Sequence, residues 1–161
     1  LREVIKALVA MIRKPDIRVA DLCRHIKGPD FPTGGEILNT PAELRAIYET
    51  GHGPVRLRGQ YTTETEKRRN RVVVTSIPYG TDKSKIVEEI AEHIVARRLP
   101  LATDVRDEST DVVRIVIEIK PDAAAETVMA YLFKHTALQV NFNVNMTALV
   151  PTATPGVGQP A

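Results

Sequence analysis

The 161-residue sequence predicts an α+β fold, in which a small N-terminal helical unit precedes a two-layer α/β sandwich with a mainly antiparallel sheet of about five strands. Two patterns lead to this prediction. Up to residue 52, apolar side chains recur at helical spacing, whereas over 53–150 runs of alternating apolar and polar residues enclose two amphipathic helices. The predicted divisions are therefore 1–52, 53–150 and a flexible tail, 151–161, which is uncharged and rich in Pro, Gly and Thr.

Three helices are predicted in the N-terminal unit. An amphipathic helix covers Leu1–Lys14 and ends at Pro15, because proline cannot continue the hydrogen-bond ladder of a helix. A shorter helix is predicted over 19–26, and a third over 41–51, with proline in its first turn and glycine at its end. The run 28–35 holds two prolines and three glycines, which favours an ordered loop.

The sandwich region is predicted to begin with two strands. The first covers 55–61, where apolar residues alternate with Arg56 and Arg58. The polar run 62–70 is interpreted as a turn, and the β-branched run 71–77 as a second strand that pairs with the first as a hairpin.

The remaining elements complete the predicted order strand, strand, helix, strand, strand, helix, strand. Apolar side chains at helical spacing define both helices, and alternation defines the strands. The predicted elements are a helix capped by Asp82 and ending near Arg98, a short strand over 101–105, a strand over 113–119, an alanine-rich helix over 123–135 capped by Asp122, and a final strand over 140–146.

Composition excludes several classes of protein. No apolar stretch approaches the ~20 residues that cross a bilayer, so no membrane partner is expected. The single cysteine, Cys23, forms no internal disulfide and lies on an apolar helical face, which favours a small buried hydrophobe over a nucleophile. We expect a cytoplasmic protein, and the absence of an initial Met fits a fragment of a longer chain.

Clustered positive charge provides the candidate nucleic-acid site, since a net charge of +2 is too small to argue for one. A phosphate-contacting surface is one interpretation, in which each neutralised phosphate releases counterions. The other is a solvated turn whose charge Glu64 and Glu66 balance. The cluster, called the basic ridge below, consists of Arg56, Arg58, Lys67, Arg68, Arg69 and Arg71.

No self-contained active site is predicted. Asp104, Asp107, Glu108 and Asp111 form an oxygen-rich run, but their spacing matches no calcium loop, and a solvated loop with Arg106 as internal partner is favoured. The four histidines are widely separated and lack a paired-ligand motif, and no glycine-rich loop has the lysine of a nucleotide-binding loop. We therefore expect no catalytic, cofactor or metal residues in this chain.

Several runs resemble the A subunit of bacterial type IIA DNA topoisomerases, namely DNA gyrase and topoisomerase IV. They occur in register along essentially the whole chain. The runs are His25–Gly35, Ile77–Tyr79, Arg106–Ser109, Arg114–Lys120, Lys134–Val140, Asn145-Met146, Ala148-Leu149 and Gly158–Pro160.

The resemblance implies that this segment is the tower region, which follows a winged-helix domain and precedes a coiled-coil arm. In that family the A subunit cuts and reseals one duplex while another passes through, and a B subunit supplies ATP hydrolysis and Mg²⁺ in an A2B2 tetramer. The family's nucleophilic tyrosine lies in an Arg-Tyr-Thr context, which none of Tyr48, Tyr61, Tyr79 and Tyr131 shares. The resemblance therefore implies a fragment that is inactive alone and supports bent double-stranded DNA through the basic ridge.

Three hypotheses remain open from the sequence. The leading one is this DNA-supporting fragment, without sequence preference, in either gyrase or topoisomerase IV. A second is a free-standing α/β regulatory module that binds a small ligand between sheet and helices. A third is a structural piece that mediates subunit contacts. The stretch Thr81–Ser84 departs from the family pattern but retains Lys83, so the start of the helix is expected to be preserved.

Overall fold

The structure, a computed structural model, describes residues 1–66, 69–151 and 158–160. The chain divides into two compact units, each built from separate stretches of sequence. The first unit comprises 1–29, 39–55 and 142–161, and the second comprises 30–38 and 56–141. Among the described residues, no helix is long and apolar enough to cross a membrane.

The helices agree closely with the predicted ones, except that the second is shorter. In its predicted second half, residues 23–25 form a turn instead of continuing the helix. The chain then leads into the loop that begins at Gly28. The described helices are α1 (Arg2–Arg13), α2 (Val19–Leu22), α3 (Pro41–Thr50), α4 (Lys83–Val95) and α5 (Ala125–His135).

The strands form antiparallel pairs in two larger sheets and one small one. Their bounds are β1 (Glu36–Ile37), β2 (His52–Arg58), β3 (Tyr61–Glu66), β4 (Arg69–Val74), β5 (Ala102–Asp107), β6 (Ile115–Ile119), β7 (Gln139–Asn145), β8 (Leu149–Pro151) and β9 (Gly158–Pro160). The orders are β1-β2-β7, β3-β4-β6-β5 and β8-β9. The α+β class is therefore confirmed. In the predicted tail, 152–157 and 161 lie outside the described residues.

The predicted hairpin between 55–61 and 71–77 is wrong. β4 pairs with β3, in register from Tyr61↔Val74 to Glu66↔Arg69, while β2 belongs to the three-stranded sheet. The run 62–70 was interpreted as a turn because it is polar, yet its threonines are β-branched and suit a strand with one solvent-facing side. The strands predicted for one sheet are thus distributed over two.

The predicted cap of the last helix is also wrong. α5 begins after Ala124, whose side chain accepts no hydrogen bond, and Asp122 lies in a turn closed by a hydrogen bond from Ala123 N to Lys120 O (3.0 Å). This turn moves the helix start beyond the reach of the Asp122 carboxylate. The other predicted cap is confirmed, because Asp82 Oδ1 accepts from Ser84 N at 2.8 Å.

The core of the second unit lies between the four-stranded sheet and helices α4 and α5. Ile86, Ile90, Ile117 and Leu132 are each 0% exposed and belong to one cluster of buried residues. Complete burial of such a side chain stabilises the folded chain by about 1.5–3 kcal/mol. Both helices therefore cover one face of this sheet, and its other face carries the charged side chains described below.

Helix α3 of the first unit has defined caps at both ends. Thr40 and Glu43 form a reciprocal capping box, in which Glu43 N donates to Thr40 Oγ1 (3.3 Å) and Thr40 N donates to the Glu43 carboxylate (2.6 Å). The helix ends at Gly51, whose φ of 76° lies in the left-handed region that glycine adopts without strain.

Substitution of Thr40 tests the contribution of this cap. We expect Thr40→Ala to lower the free energy of unfolding by about 1 kcal/mol, because the backbone N–H of Glu43 loses its acceptor. Thr40→Ser keeps the hydroxyl and is the control, with a change of a few tenths of a kcal/mol expected. Urea denaturation followed by circular dichroism measures both, and equal losses for the two variants would contradict the capping role.

Candidate nucleic-acid interface

The structure places the basic ridge on two different sheets. Arg56 and Arg58 lie on β2, and Arg69 and Arg71 lie on β4. Lys67 and Arg68 lie outside the described residues. The alternation predicted for β2 is present, because Val55 and Leu57 are each 1% exposed while both arginines between and after them are only partly buried. Each pair of arginines therefore has its own surroundings.

Arg58 is held by a carboxylate and an aromatic ring. Its Nη2 lies 2.6 Å from Glu36 Oε2, in the register pair that joins β1 to β2. Its guanidinium carbon lies 4.9 Å from the centroid of the Phe133 ring, a cation–π contact. Neighbouring Arg56 directs Nη2 toward Leu38 O at 3.5 Å. The Arg58 guanidinium is therefore oriented by Glu36 and Phe133 of its own unit.

Glu118 lies among three arginines on the four-stranded sheet. Its Oε1 lies 2.6 Å from Arg106 Nη2, 3.7 Å from Arg69 Nη1 and 3.8 Å from Arg71 Nη2. The Glu118 side chain is 18% exposed, whereas that of Arg69 is 67% exposed. One carboxylate thus faces three guanidinium groups, and the long contact leaves the exposed Arg69 incompletely neutralised by Glu118.

Arg114 closes a second ion-pair group at this sheet. Its Nη1 and Nη2 donate to the two carboxylate oxygens of Glu64 at 2.9 and 2.8 Å, and its Nε donates to Glu108 at 3.2 Å. The hydrogen bonds from Arg114 lower the pKa of Glu64, and those to Glu64 and Glu108 raise the pKa of Arg114. Glu64, expected to balance the ridge, is therefore bound mainly by an arginine outside it.

The oxygen-rich run 104–111 is tied to cationic partners. The predicted solvated loop is wrong for Asp104 and Asp107, which lie on β5. The predicted internal partner is present, because Arg106 Nε lies 3.9 Å from both Asp104 and Glu108. Asp107 Oδ2 lies 2.8 Å from Lys83 Nζ. Within the described ranges, no group of three or more His, Cys, Asp or Glu side chains is placed to hold a metal ion.

The Lys83–Asp107 pair gives a pH-dependent expectation. The hydrogen bond from Lys83, with help from Ser109, lowers the pKa of Asp107 from 3.8 to about 2. A depressed carboxylate pKa contributes stability that is complete above the unfolded value and is lost as the pH falls through the folded value. We therefore expect Lys83→Met to move the Asp107 pKa up toward 3.8 and to reduce the loss of stability between about pH 4 and about pH 2. Carboxyl-carbon NMR titration measures the shift; an unchanged pKa in the variant would contradict the assignment.

Other polar side chains pack within the units. Tyr131 Oη lies 3.2 Å from His93 Nδ1, and the Tyr131 and His135 rings stack with centroids 4.3 Å apart. Cys23 is half-buried, and burial together with the charge of Glu49 raises the pKa of its thiol, away from a reactive thiolate.

Sequence reasoning missed Glu118 and Phe133 as partners of the ridge. Glu118 was treated only as part of an alternating strand, although its outward position between Ile117 and Ile119 signalled an exposed face. Phe133 lies within the predicted helix over 123–135, and no local pattern connects it to Arg58, 75 residues earlier. Both contacts depend on strand and helix pairings over long sequence separations.

The chain is similar to known proteins over nearly its whole length. The family model for the A subunit of DNA gyrase/topoisomerase IV matches residues 1–159. The DNA gyrase A subunit of Halalkalibacterium halodurans is 44% identical over 151 residues, which are 93% of this chain and 18% of the relative. The DNA topoisomerase 4 A subunit of Caulobacter vibrioides is 43% identical over 157 residues, 96% of this chain and 21% of the relative. The chain thus spans only about a fifth of the length of these curated relatives.

Proposed function

The chain belongs to the family of DNA gyrase and topoisomerase IV A subunits, and we propose that it serves there as the non-catalytic tower, which supports the flank of a bent duplex during strand passage. The family match over residues 1–159 is the observation that carries this proposal. The sharp bend of a short duplex costs about 1–6 kcal/mol by elastic estimates, so a cationic surface under the flank offsets part of that cost.

The charge distribution on the four-stranded sheet supports this role. The side chain of Arg69 is 67% exposed and approaches Glu118 only at 3.7 Å, while Arg106 takes the short contact with this carboxylate. Arginine pairs with a DNA phosphate through two parallel hydrogen bonds, a closer contact than the 3.7 Å that separates Arg69 from Glu118. This part of the ridge is therefore suited to bind backbone phosphates without reading base sequence.

The activity of the whole enzyme is part of the same proposal. The parent A subunit would join a B subunit in an A2B2 tetramer in the cytoplasm, and ATP hydrolysis and Mg²⁺ would belong to that partner. The four tyrosines here lack the Arg-Tyr-Thr context, so we propose that this segment takes no chemical step. Its contribution would be positional, because a rigid support holds reacting groups elsewhere in productive geometry.

A mobility-shift experiment across a salt series tests the DNA contact. The chain should retard a linear duplex at low salt, and the logarithm of the affinity should fall linearly with the logarithm of the salt concentration. Circular dichroism confirms that the chain is folded under the same conditions. A folded chain that leaves the duplex unshifted even at the lowest salt would remove the DNA-supporting role, while the family membership would stand.

The alternative of a small-ligand module has less support. The space between the four-stranded sheet and its helices, where such a ligand would bind, is filled by fully buried side chains such as Ile86, Ile117 and Met129. A thermal-shift screen separates the two functions, because the module hypothesis requires a metabolite that stabilises the chain where duplex DNA does not.

A further inference from the structure

Positive charge is concentrated in the first 29 residues of the sequence, which do not include the basic ridge. Residues 1–29 contain seven Lys and Arg but only three Asp and Glu, a net charge of +4. The whole chain carries +2, so the other 132 residues together carry −2. Residues 1–29 belong to the first compact unit, whereas the ridge belongs to the second. The strongest electrostatic attraction for an anion is therefore expected at the helical unit.

A groove beside α1 collects part of this charge. It has a volume of about 520 Å³, and its lining includes the cations Lys6, Arg13 and Lys14 together with His25. The remaining lining is aliphatic, and none of the lining residues is acidic. Lys6 and Arg13 are seven residues apart, so they lie on one face of the helix, and Lys14 follows directly. All three cationic side chains are exposed.

The cations of this groove differ in their surroundings from three paired arginines of the sandwich. Arg58, Arg106 and Arg114 each lie within 2.6–2.8 Å of a carboxylate oxygen. Within the described part of the chain, the side chains of Lys6, Arg13 and Lys14 take part in no ion pair. A cation already paired with a carboxylate gives little on meeting a phosphate, because the internal pair must be broken first. The groove cations carry no such cost.

We propose that Lys6, Arg13 and Lys14 form a second phosphate-contacting surface for duplex DNA, in addition to the basic ridge. This inference rests on the proposed function. Lys6 and Arg13 are about 10 Å apart along the helix axis, which matches roughly three phosphates of one strand at ~3.4 Å axial spacing. The aliphatic stems lie along the apolar lining while their charged ends reach the backbone. The surface binds phosphates and reads no bases.

A charge-matched pair of triple variants tests the proposal. In K6Q/R13Q/K14Q the groove loses three positive charges, and glutamine retains good helix propensity. In K85Q/R98Q/K134Q three exposed cations of the sandwich, outside the ridge, are lost instead. Fluorescence anisotropy with a labelled linear duplex across a salt series gives the dissociation constant and the salt slope for both, and circular dichroism confirms folding.

The groove variant is expected to reduce the salt slope by about one unit per residue and to weaken binding about tenfold or more at low salt. The control is expected to bind within about twofold of the unmodified chain. Equal binding by the groove variant and the unmodified chain would overturn the groove and leave the proposed function standing. An unmodified chain that fails to bind would instead remove both.

A labelled acidic peptide of alternating Glu and Leu segments separates DNA from a protein occupant. If this peptide binds the unmodified chain and loses affinity for K6Q/R13Q/K14Q while duplex binding persists, the groove belongs to an acidic polypeptide and the proposal is overturned. If only the duplex loses affinity, the phosphate assignment is supported.

Discussion

Ile90→Ala is expected to lower the free energy of unfolding by about 2–5 kcal/mol, the largest stability effect of any single change considered for this chain. Ile90 is 0% exposed and lies in the cluster between α4 and the four-stranded sheet. Alanine removes three carbons and leaves a cavity that close packing prevents the neighbours from filling. A loss of this size approaches half the stability of a typical domain, so the proposed support of DNA should weaken with it.

Val95→Ala on the same helix is the matched control. Val95 is 82% exposed, so truncation of its side chain should change the free energy of unfolding by no more than about 0.5 kcal/mol. Urea denaturation followed by circular dichroism compares the two variants. Similar losses at Ile90 and Val95 would mean that α4 does not pack on the sheet as described.

Glu118→Gln is expected to change stability and DNA affinity in opposite directions. Loss of the carboxylate leaves Arg69, Arg71 and Arg106 facing one another without their shared anion. We expect the free energy of unfolding to fall by about 1–3 kcal/mol, because a charged hydrogen bond is lost and like charges remain together. We expect duplex binding to tighten by about five- to tenfold at 0.1 M salt, because the released guanidinium groups are then available to phosphates.

Glu88→Gln provides the control for net charge. Glu88 is exposed on α4, far in sequence from the ridge, and its substitution by Gln removes the same single negative charge. Its effect on both stability and duplex affinity should be small. If Glu118→Gln binds the duplex no better than Glu88→Gln does, the guanidinium groups around Glu118 do not meet DNA, and the ridge assignment on this sheet fails.

Elements with local signals were predictable from the sequence. Pro41 and Gly51 mark the two ends of α3, Asp82 caps α4, and the alternation that ends at Ile119 identifies β6 as a strand. Each of these signals depends on a few neighbouring residues, because caps and strand alternation follow from local backbone preferences. The family resemblance was likewise visible, because its motifs are contiguous runs.

Features that depend on distant partners were not predictable. The pairing of β3 with β4 was missed because a strand rich in Thr and Glu has the composition of a turn. The contacts of Glu118 and the Arg114–Glu64 pair, 50 residues apart, are set by strand register. The α1 groove was not predictable from the amphipathic pattern of Leu1–Lys14, because His25 joins Lys6, Arg13 and Lys14 only through tertiary packing.

Bending of a duplex by the complete enzyme tests the central claim, that this segment supports bent DNA and takes no chemical step. The measurement is energy transfer between dyes on the two ends of a duplex bound by the A and B subunits together. With K67Q/R68Q/R69Q in the A subunit, we expect the bend to be reduced while cleavage of a duplex with a flexible, unpaired centre is retained. An unchanged bend, or loss of cleavage with the bend intact, would contradict the account.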